Sequence, residues 1–196
     1  MHGSPGSSEE FARSYLARLT TILARLDVEA VALVIEVFLD ARSRDATIFF
    51  VGNGGSAATA LHFANDLGVC ASPDGRKPFR AVSLTANTSL ITCLANDIGY
   101  ENVFYKQLKN LMRPGDVVVG ISASGNSPNV VRAFEHAVEN GGIAVAIVGF
   151  DGGIMKKIAK YVIHVATDYG EYGPAEDTHM VLDHLISSYL AQVPAE

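Results

Sequence analysis

The residues best suited to chemistry begin with a loop of small side chains, Gly52-Asn53-Gly54-Gly55-Ser56-Ala57, which leads directly into a helical pattern. Small residues let backbone N–H groups approach a ligand. At the end of a parallel strand and the start of a helix, these N–H groups and the helix dipole favour an anion. The loop therefore predicts a phosphate site, although in isolation a tight turn without a ligand would have the same composition.

A second loop of similar character favours the phosphate interpretation. It contains Ser122-Ala123-Ser124-Gly125-Asn126-Ser127-Pro128 and also opens a helix, with proline at the first helical position. We expect the two loops to flank the switch point of a doubly wound sheet, where the carboxyl ends of neighbouring strands form a ligand crevice. The loops are therefore predicted to converge on one pocket.

Ionisable side chains follow the first loop at helical spacing. His62 and Asp66 are four residues apart, so on one helix they point at the same volume. A histidine and a carboxylate beside a phosphate loop can serve as acid, base or metal ligand. Taken singly, each could instead be an ordinary residue of a helix surface.

The elements that must position these groups are short apolar strands alternating with helices. Five runs of β-branched and aromatic residues are separated by helix-length segments: Thr47 to Val51, Arg80 to Leu84, Val117 to Ile121, Ala144 to Val148 and Tyr161 to Val165. Such alternation is typical of right-handed βαβ units. We predict an α/β fold with a doubly wound, five-stranded parallel sheet of order 2-1-3-4-5, flanked by helices.

Helices are also predicted at both ends of the chain. Two amphipathic helices precede the first strand, one after a capping box formed by Ser7 and Glu10 and the other from about Asp27. A long last helix opens at Gly173-Pro174 and runs to about Gln192. We expect one domain over residues 8–196 and a flexible tail at residues 1–7.

Composition restricts the classes of function. Of the 196 residues, 48% are hydrophobic and 18% are charged, as in packed globular proteins. The formal net charge is −6 and the basic residues are scattered, which argues against a nucleic-acid groove. No apolar run is long enough to span a bilayer and no signal-like segment opens the chain. We therefore expect no membrane partner and a cytoplasmic location, with both cysteines reduced.

A nucleotide cofactor is disfavoured by the details of the first loop. Gly52, Gly54 and Ala57 satisfy a G-x-G-x-x-A pattern, but the second strand ends in Ser83-Leu84-Thr85, where a dinucleotide fold expects an acidic residue for the ribose. No Gly-Lys-Ser/Thr follows the glycines, as a P-loop requires. We expect no nucleotide cofactor.

Together these motifs resemble the sugar isomerase (SIS) family, and most closely its phosphoheptose isomerases. The resemblance covers nearly the whole chain and rests on GNGGSA, ISASGNSPN, Ala95-Asn96-Asp97, Asp151-Gly152-Gly153 and the ending Glu176-x-x-His179-x-x-x-x-His184. It implies an isomerase of heptose biosynthesis that moves a carbonyl between C1 and C2 through an enediolate. The implied reaction converts sedoheptulose 7-phosphate to D-glycero-D-manno-heptose 7-phosphate.

The resemblance also implies roles for individual residues. Positions that contact the sugar phosphate correspond to Asn53, Gly54, Gly55, Ser56, Asp66, Asn96, Asp97, Ser122, Ala123, Ser124, Ser127 and Glu176. Positions that hold one zinc ion per subunit in metal-containing members correspond to His62, Asp66, Glu176 and His184. Asp66 and His184 match the family's proposed acid and base. A homotetramer is implied by the resemblance alone.

Three positions depart from the family pattern. Asp66 stands where glutamate is usual, Glu176 where glutamine is usual, and Gly173 where an aspartate is common. The first change keeps an acid but shortens its reach by one methylene. The second adds a negative charge, which suits a cation and repels a phosphate placed too close.

The spacing within the last helix raises a separate question. Glu176 and His184 are eight residues apart, which on a regular helix separates them by about 12 Å along the axis. They cannot easily share one small ion. Either the helix begins later than the proline predicts, or the two residues belong to sites completed by different subunits.

Two alternative functions stay open at this point. The same fold could isomerise another sugar phosphate, such as a pentose or amino-sugar phosphate. It could also be a non-catalytic SIS module that binds a sugar phosphate or a protein partner. The presence of His62, Asp66 and His184 favours an enzyme, because a pure binding module has no need of that set.

Overall fold

The computed structural model describes residues 6–72 and 75–193. Its centre is a parallel sheet in the order β2-β1-β3-β4-β5. The strands are β1 (Thr47–Gly52), β2 (Arg80–Ser83), β3 (Val117–Ser122), β4 (Ile143–Val148) and β5 (Tyr161–His164). The predicted fold class and strand order are confirmed, and each predicted strand agrees with the observed one to within about one residue at either end.

Helices connect the strands and cover both faces of the sheet. They are α1 (Ser8–Leu23), α2 (Val28–Ser43), α3 (Gly54–Gly68), α4 (Thr88–Ile98), α5 (Val103–Leu111), α6 (Pro128–Glu139), α7 (Met155–Ile158) and α8 (Tyr172–Gln192). A short 3₁₀-helix, Tyr100–Asn102, precedes α5. Within the described ranges, no helix combines the length and apolar character needed to cross a membrane.

The sheet is buried on both faces because its strands are apolar on both faces. Side chains alternate between faces along a strand, so Ile48 and Phe50 of β1 point to one side while Phe49 and Val51 point to the other. All four are buried. This is the pattern expected of a parallel sheet between two helical layers.

Each face packs against its own set of helices. On one side, α1, α2, α3 and α8 bury a core that contains an aromatic trio, Phe38, Phe50 and Phe63, with ring centroids 4.9 to 6.2 Å apart. On the other side, α4 to α7 bury a core around Phe104 and Phe134. The first layer therefore contains both helices, α3 and α8, that carry the predicted ionisable residues.

Local signals account for most helix boundaries. The Ser7 hydroxyl accepts from the Glu10 N–H at 3.2 Å and the Glu10 carboxylate accepts from the Ser7 N–H at 2.8 Å, which confirms the predicted capping box. Asp27 caps α2 through the N–H groups of its first turn. Residues 1–5 of the predicted tail lie outside the described residues. The last helix begins at Tyr172, close to the predicted Gly173-Pro174 start.

Candidate active site

The two small-residue loops meet at the switch point of the sheet. Strands β1 and β3 are neighbours, with Gly52 paired to Ile121, so their carboxyl ends lie side by side. A cavity of about 180 Å³ opens there. It is lined by Asn53, Ser56, Ile121, Ser122, Ala123, Ser124, Ser127, Tyr172 and Glu176. The predicted convergence of the two loops on one pocket is confirmed.

The helix starts at this cavity are suited to an anion. The N-cap residues, Asn53 of α3 and Ser127 of α6, make no side-chain hydrogen bond to the first-turn N–H groups of their helices. These N–H groups carry the positive end of the helix dipole. Gly54 has a φ of 53°, and a Cβ at Gly55 would overlap the Glu176 carboxylate. Glycine at 54 and 55 thus brings the backbone and Glu176 together at the mouth of the cavity.

The hydroxyl-rich loop is held by its own serines. The Ser122 hydroxyl accepts from the Gly125 N–H at 3.1 Å, and the Ser124 hydroxyl accepts from the Asn126 N–H at 3.2 Å. These bonds shape a turn whose remaining hydroxyl, that of Ser127, lies half-buried at the start of α6. The turn leaves hydroxyl protons free to donate to a bound oxyanion.

A pair of asparagines joins the two loops. The side-chain amide of Asn53 donates to Asn129 at 2.9 Å, the amide of Asn129 donates back to Asn53 at 2.8 Å, and the Tyr100 hydroxyl donates to the same Asn53 oxygen at 2.8 Å. Asn129 is buried. Sequence reasoning missed Asn129 and Tyr100. An amide directly after Pro128, on the otherwise apolar face of a helix, was the available signal for Asn129.

Ionisable side chains from α3 and α8 form a second cluster. The ligand-type atoms of His62, Asp66, Asp183 and His184 all lie within 4.8 Å of one another. The Nε2 atoms of His62 and His184 are 3.1 Å apart, and His62 Nε2 is 3.5 Å from an Asp66 carboxylate oxygen. Three of the predicted acid, base and ligand residues are thus brought together. Asp183 joins them without having been predicted.

Burial changes the acidity of two carboxyl groups near these sites. Asp183 is fully buried, and burial, followed by the charge of Asp66, raises its pKa to about 7. Burial, followed by the charge of Asp177, also raises the pKa of Glu176. Both shifts favour the neutral acid, which can donate a hydrogen bond.

Glu176 lies apart from the histidine cluster. Helix α8 is continuous from Tyr172 and contains both Glu176 and His184, so the later-start explanation of their spacing is wrong. Glu176 instead lines the loop cavity and faces Gly55. The other explanation, a site completed by different subunits, stays a prediction.

Asn96 and Asp97 also lie outside both groups of residues. They are exposed near the end of α4, where the Asn96 amide donates to the Asp97 carboxylate at 2.8 Å. Neither side chain lines the loop cavity. Their predicted contact with the sugar phosphate stays a prediction.

The glycine at 173 has a local explanation in the packing of α1 on α8. A Cβ at Gly173 would lie 2.8 Å from the Tyr15 hydroxyl. That hydroxyl donates to Asp177 at 2.5 Å. A larger residue at 173 would therefore require the Tyr15 side chain, and its hydrogen bond to Asp177, to shift.

Cavity size alone does not identify this site. A groove of about 540 Å³ lies between α2 and residues 75–77. It is lined by long charged side chains such as Glu36, Arg42 and Lys77. It lies away from the carboxyl edge of the sheet, where α/β folds bind ligands.

Known proteins share this sequence and architecture. Residues 10–149 match the family model described as SIS domain. The chain is 41% identical over 160 residues to a phosphoheptose isomerase of Akkermansia muciniphila, covering 82% of each protein. It is 36% identical over 179 residues to a probable phosphoheptose isomerase of Thermoplasma acidophilum, covering 91% of this chain and 97% of that one. A solved phosphoheptose isomerase from Neisseria gonorrhoeae has a TM-score of 0.86 and 31% identity, covering 95% of this chain and 100% of that chain.

Proposed function

The chain belongs to the SIS domain family and to its phosphoheptose isomerases, and from this membership we propose that it interconverts sedoheptulose 7-phosphate and D-glycero-D-manno-heptose 7-phosphate. The observation that carries the proposal is that a glycine-rich loop and a serine-rich loop, each opening a helix, meet around one cavity, while a cluster of histidines and carboxylates lies further along α3 and α8. The loop cavity suits a phosphate, and the histidine cluster suits proton transfer.

Binding of the phosphate is assigned to the loops. The backbone of Asn53, Gly54 and Gly55 presents N–H groups at the start of α3, and Ser56 adds a buried hydroxyl. From the other side, Ser122, Ala123, Ser124 and Ser127 surround the same cavity. Helix dipoles and neutral donors then bind the dianion without a basic side chain lining the cavity.

Proton transfer is assigned to Asp66 and His184. Aldose–ketose isomerisation removes a proton from one of two adjacent carbons and returns one to the other, through an enediolate. A carboxylate and an imidazole on opposite sides of a small volume can divide these steps between them. His62 lies between the two, within 3.5 Å of each. We assign it to orienting the pair and to holding a cation.

The donor set at this cluster fits a divalent metal ion. Two imidazoles and a carboxylate converge within the distances that ligands of one ion require, and a buried carboxylate without a hydrogen-bond partner lies beside them. We propose one zinc ion per subunit, held by His62, Asp66 and His184. When bound, the ion supplies positive charge to the oxyanion that develops on the sugar.

Glu176 is assigned to the substrate. It lies against the phosphate loop, where an ionised carboxylate would repel the phosphate. Its raised pKa favours the neutral acid, which can donate a hydrogen bond as the family's usual glutamine would. The departure from glutamine at this position is therefore compatible with substrate binding when this carboxyl group is protonated.

A homotetramer is proposed to complete the site. Asn96 and Asp97 are exposed and lie outside the cavity of their own chain. Their assigned contact with the sugar phosphate would therefore be made in a neighbouring subunit. We also propose a cytoplasmic location, which two exposed free thiols, Cys70 and Cys93, favour because reducing compartments preserve such groups.

Isotope exchange tests the proposed reaction. We expect sedoheptulose 7-phosphate, mixed with the protein in deuterated water, to give an aldose carrying deuterium at C2. The variant Asp66→Asn should lower kcat by about 10²- to 10⁴-fold, as loss of an acid–base group does. Asp45→Asn makes the same chemical change at an exposed turn before β1, at the opposite edge of the sheet, and should keep the wild-type rate.

Three outcomes would contradict the proposal. Absence of deuterium at C2 would exclude this reaction. Turnover of a pentose or amino-sugar phosphate instead would keep the fold and replace the substrate. Tight binding of a sugar phosphate without any exchange would identify a non-catalytic SIS module.

A further inference from the structure

One carboxylate of α8 is buried without any protein partner. Asp183 is 0% exposed, and neither of its carboxylate oxygens has a hydrogen-bond partner among the described residues. An aspartate in such a place is costly unless it is paired or binds a metal. The family resemblance assigns no role to this position.

The carboxylate of Asp183 points into the histidine cluster. Its oxygen lies within 4.8 Å of ligand atoms of His62, Asp66 and His184. Two ligands of one tetrahedral zinc ion, each about 2.0–2.2 Å from the metal, lie about 3.3 Å apart. The His62–His184 and His62–Asp66 distances, 3.1 and 3.5 Å, match that spacing.

The position that the family pattern would use as fourth ligand is elsewhere in this chain. Glu176 lies two helical turns before His184, about 12 Å along the axis of α8. Its carboxylate faces Gly55 and lines the loop cavity. Within one chain, it cannot reach an ion between His62 and His184 without moving α8.

We propose that Asp183, and not Glu176, is the fourth protein ligand of the divalent cation in this protein. The cation site then contains two imidazoles, His62 and His184, and two carboxylates, Asp66 and Asp183. This inference rests on the proposed function, which includes a cation at this cluster.

Charge supports the proposed set. Two carboxylates neutralise a dication, so the ion provides the opposite charge that a buried Asp183 otherwise lacks. The same assignment leaves Glu176 free to take its neutral form beside the phosphate. Zinc accepts two nitrogen and two carboxylate-oxygen ligands, and manganese tolerates them as well.

The test compares two matched variants of the full chain, Asp183→Asn and Glu176→Gln. Each replaces a carboxylate by its amide at almost constant volume. Zinc affinity is measured on chelator-stripped protein by competition with a chromophoric chelator, and cobalt(II) is added separately to record its visible absorption. We expect Asp183→Asn to weaken zinc by more than about 100-fold, the upper end for loss of an outer-shell partner. Glu176→Gln should leave the affinity and the cobalt spectrum unchanged, and so should Glu176→Leu, which also removes the side-chain oxygen that glutamine would still offer to the ion.

Thermal unfolding separates loss of a ligand from loss of the fold. Without metal, Asp183→Asn should melt no lower than the wild type, because it replaces a buried carboxyl group that has no hydrogen-bond partner among the described residues. Excess zinc should raise the melting temperature of the wild type and of Glu176→Gln, but not that of Asp183→Asn.

Several results would overturn the assignment. They are a wild-type protein that binds no zinc, an Asp183→Asn variant that keeps full affinity, and a Glu176→Leu variant that loses as much affinity as Asp183→Asn. Deuterium exchange by a metal-free protein would overturn this inference and leave the isomerase proposal in place. Zinc bound as described, without deuterium exchange into the sugar, would support this inference and overturn the isomerase proposal.

Discussion

At the scale of single residues, the inner face of α8 is unusual for the ionisable groups it buries. His179 and Asp183 are one helical turn apart, both are buried, and neither side chain has a hydrogen-bond partner among the described residues. Burial lowers the pKa of His179 to about 4 and raises that of Asp183 to about 7. Desolvation therefore favours the neutral form of both groups.

Burial of His179 predicts that the folded protein becomes less stable in acid. Unfolded, His179 takes up a proton near its ordinary pKa of 6.5; folded, it does so only near 4. The unfolded state therefore binds more protons between these values, and stability falls as pH falls through that window. The full effect is about 3 kcal/mol at 1.36 kcal/mol per pKa unit. Asp183 has the opposite effect on stability, because its pKa is higher in the folded state, about 7, than in the unfolded state. Its pH range overlaps that of His179.

Comparison with a variant isolates the histidine. In urea unfolding with chelator at pH 7 and pH 4.5, the free energy of unfolding of His179→Gln should fall by less than that of the wild type. The pH dependence of the free energy of unfolding should differ between the two proteins by an amount that approaches one bound proton. The variant itself is expected to be less stable at pH 7. The measurement is therefore the change in the free energy of unfolding with pH, and not its value at one pH. Parallel pH profiles would contradict the assignment.

At the scale of elements, an ion pair fastens α1 to the start of α8. Arg18 donates to both carboxylate oxygens of Glu171, at 3.0 and 2.6 Å, and Glu171 is 8% exposed. The Arg18 guanidinium holds the pKa of Glu171 below its usual range. Glu171 immediately precedes Tyr172, which lines the loop cavity together with Glu176. The pair therefore positions one wall of the candidate site.

Removing the arginine tests this connection. Arg18→Ala leaves a nearly buried carboxylate without its partner and should lower the free energy of unfolding by about 1–3 kcal/mol. The matched control is Arg13→Ala, which breaks an exposed pair with Glu9 on the same helix and should cost below about 0.5 kcal/mol. Chemical denaturation of both variants measures the difference. Equal losses would show that the Arg18–Glu171 pair has no special role.

The junction of β1 with the first loop depends on a glycine. A Cβ at Gly52 would lie 2.6 Å from the Ser56 carbonyl oxygen and 3.1 Å from that of Ile121, and both are backbone atoms. Gly52→Ala should therefore destabilise the fold by about 1–3 kcal/mol through overpacking. It should also raise KM, because the phosphate loop shifts.

Gly68, at the C-terminal end of α3, provides the control for Gly52→Ala. A Cβ at Gly68 would meet nothing within 4 Å. Gly68→Ala should therefore leave KM unchanged and stabilise the fold by up to about 1 kcal/mol. Thermal melts and steady-state kinetics measure both effects. A Gly52→Ala enzyme with unchanged KM would argue against a phosphate at this loop.

At the scale of the whole molecule, an apolar stripe lies beside the histidine cluster. Val181, Leu185 and Tyr189 recur every four residues along α8 and are 38%, 44% and 50% exposed. Leu61 of α3, next to His62, is 48% exposed, and α3 packs against α8. A subunit contact at this stripe would bury apolar surface and exclude water from the site.

The proposed homotetramer can be tested through this stripe. Light scattering of the wild type should give four times the 20.8 kDa mass of one chain. The double variant Val181→Glu with Leu185→Glu should lower that mass and the isomerase rate together. Val138→Glu changes an exposed valine on α6, on the other side of the sheet, and should alter neither. A fully active monomer would exclude an oligomeric site.

Local patterns in the chain were sufficient to predict the fold. The five strands and the capping box at Ser7 were predicted correctly, because an apolar run and a helix's first turn depend on neighbouring residues. The strand order followed from the general topology of doubly wound sheets. The two phosphate-type loops were found in the same way as the strands. Their meeting followed from a general rule about switch points, so it too could be predicted without coordinates.

The membership of the ionisable cluster depended on packing between distant segments. His62 and Asp66 are neighbours on one helix, and spacing alone placed them together. Asp183 was missed and Glu176 was grouped with His184, since no local pattern states which side of α8 faces α3. That side is established by the close packing of the core around Leu182 and Ile186. Only this packing buries Asp183 beside the histidines and places Glu176 against the phosphate loop.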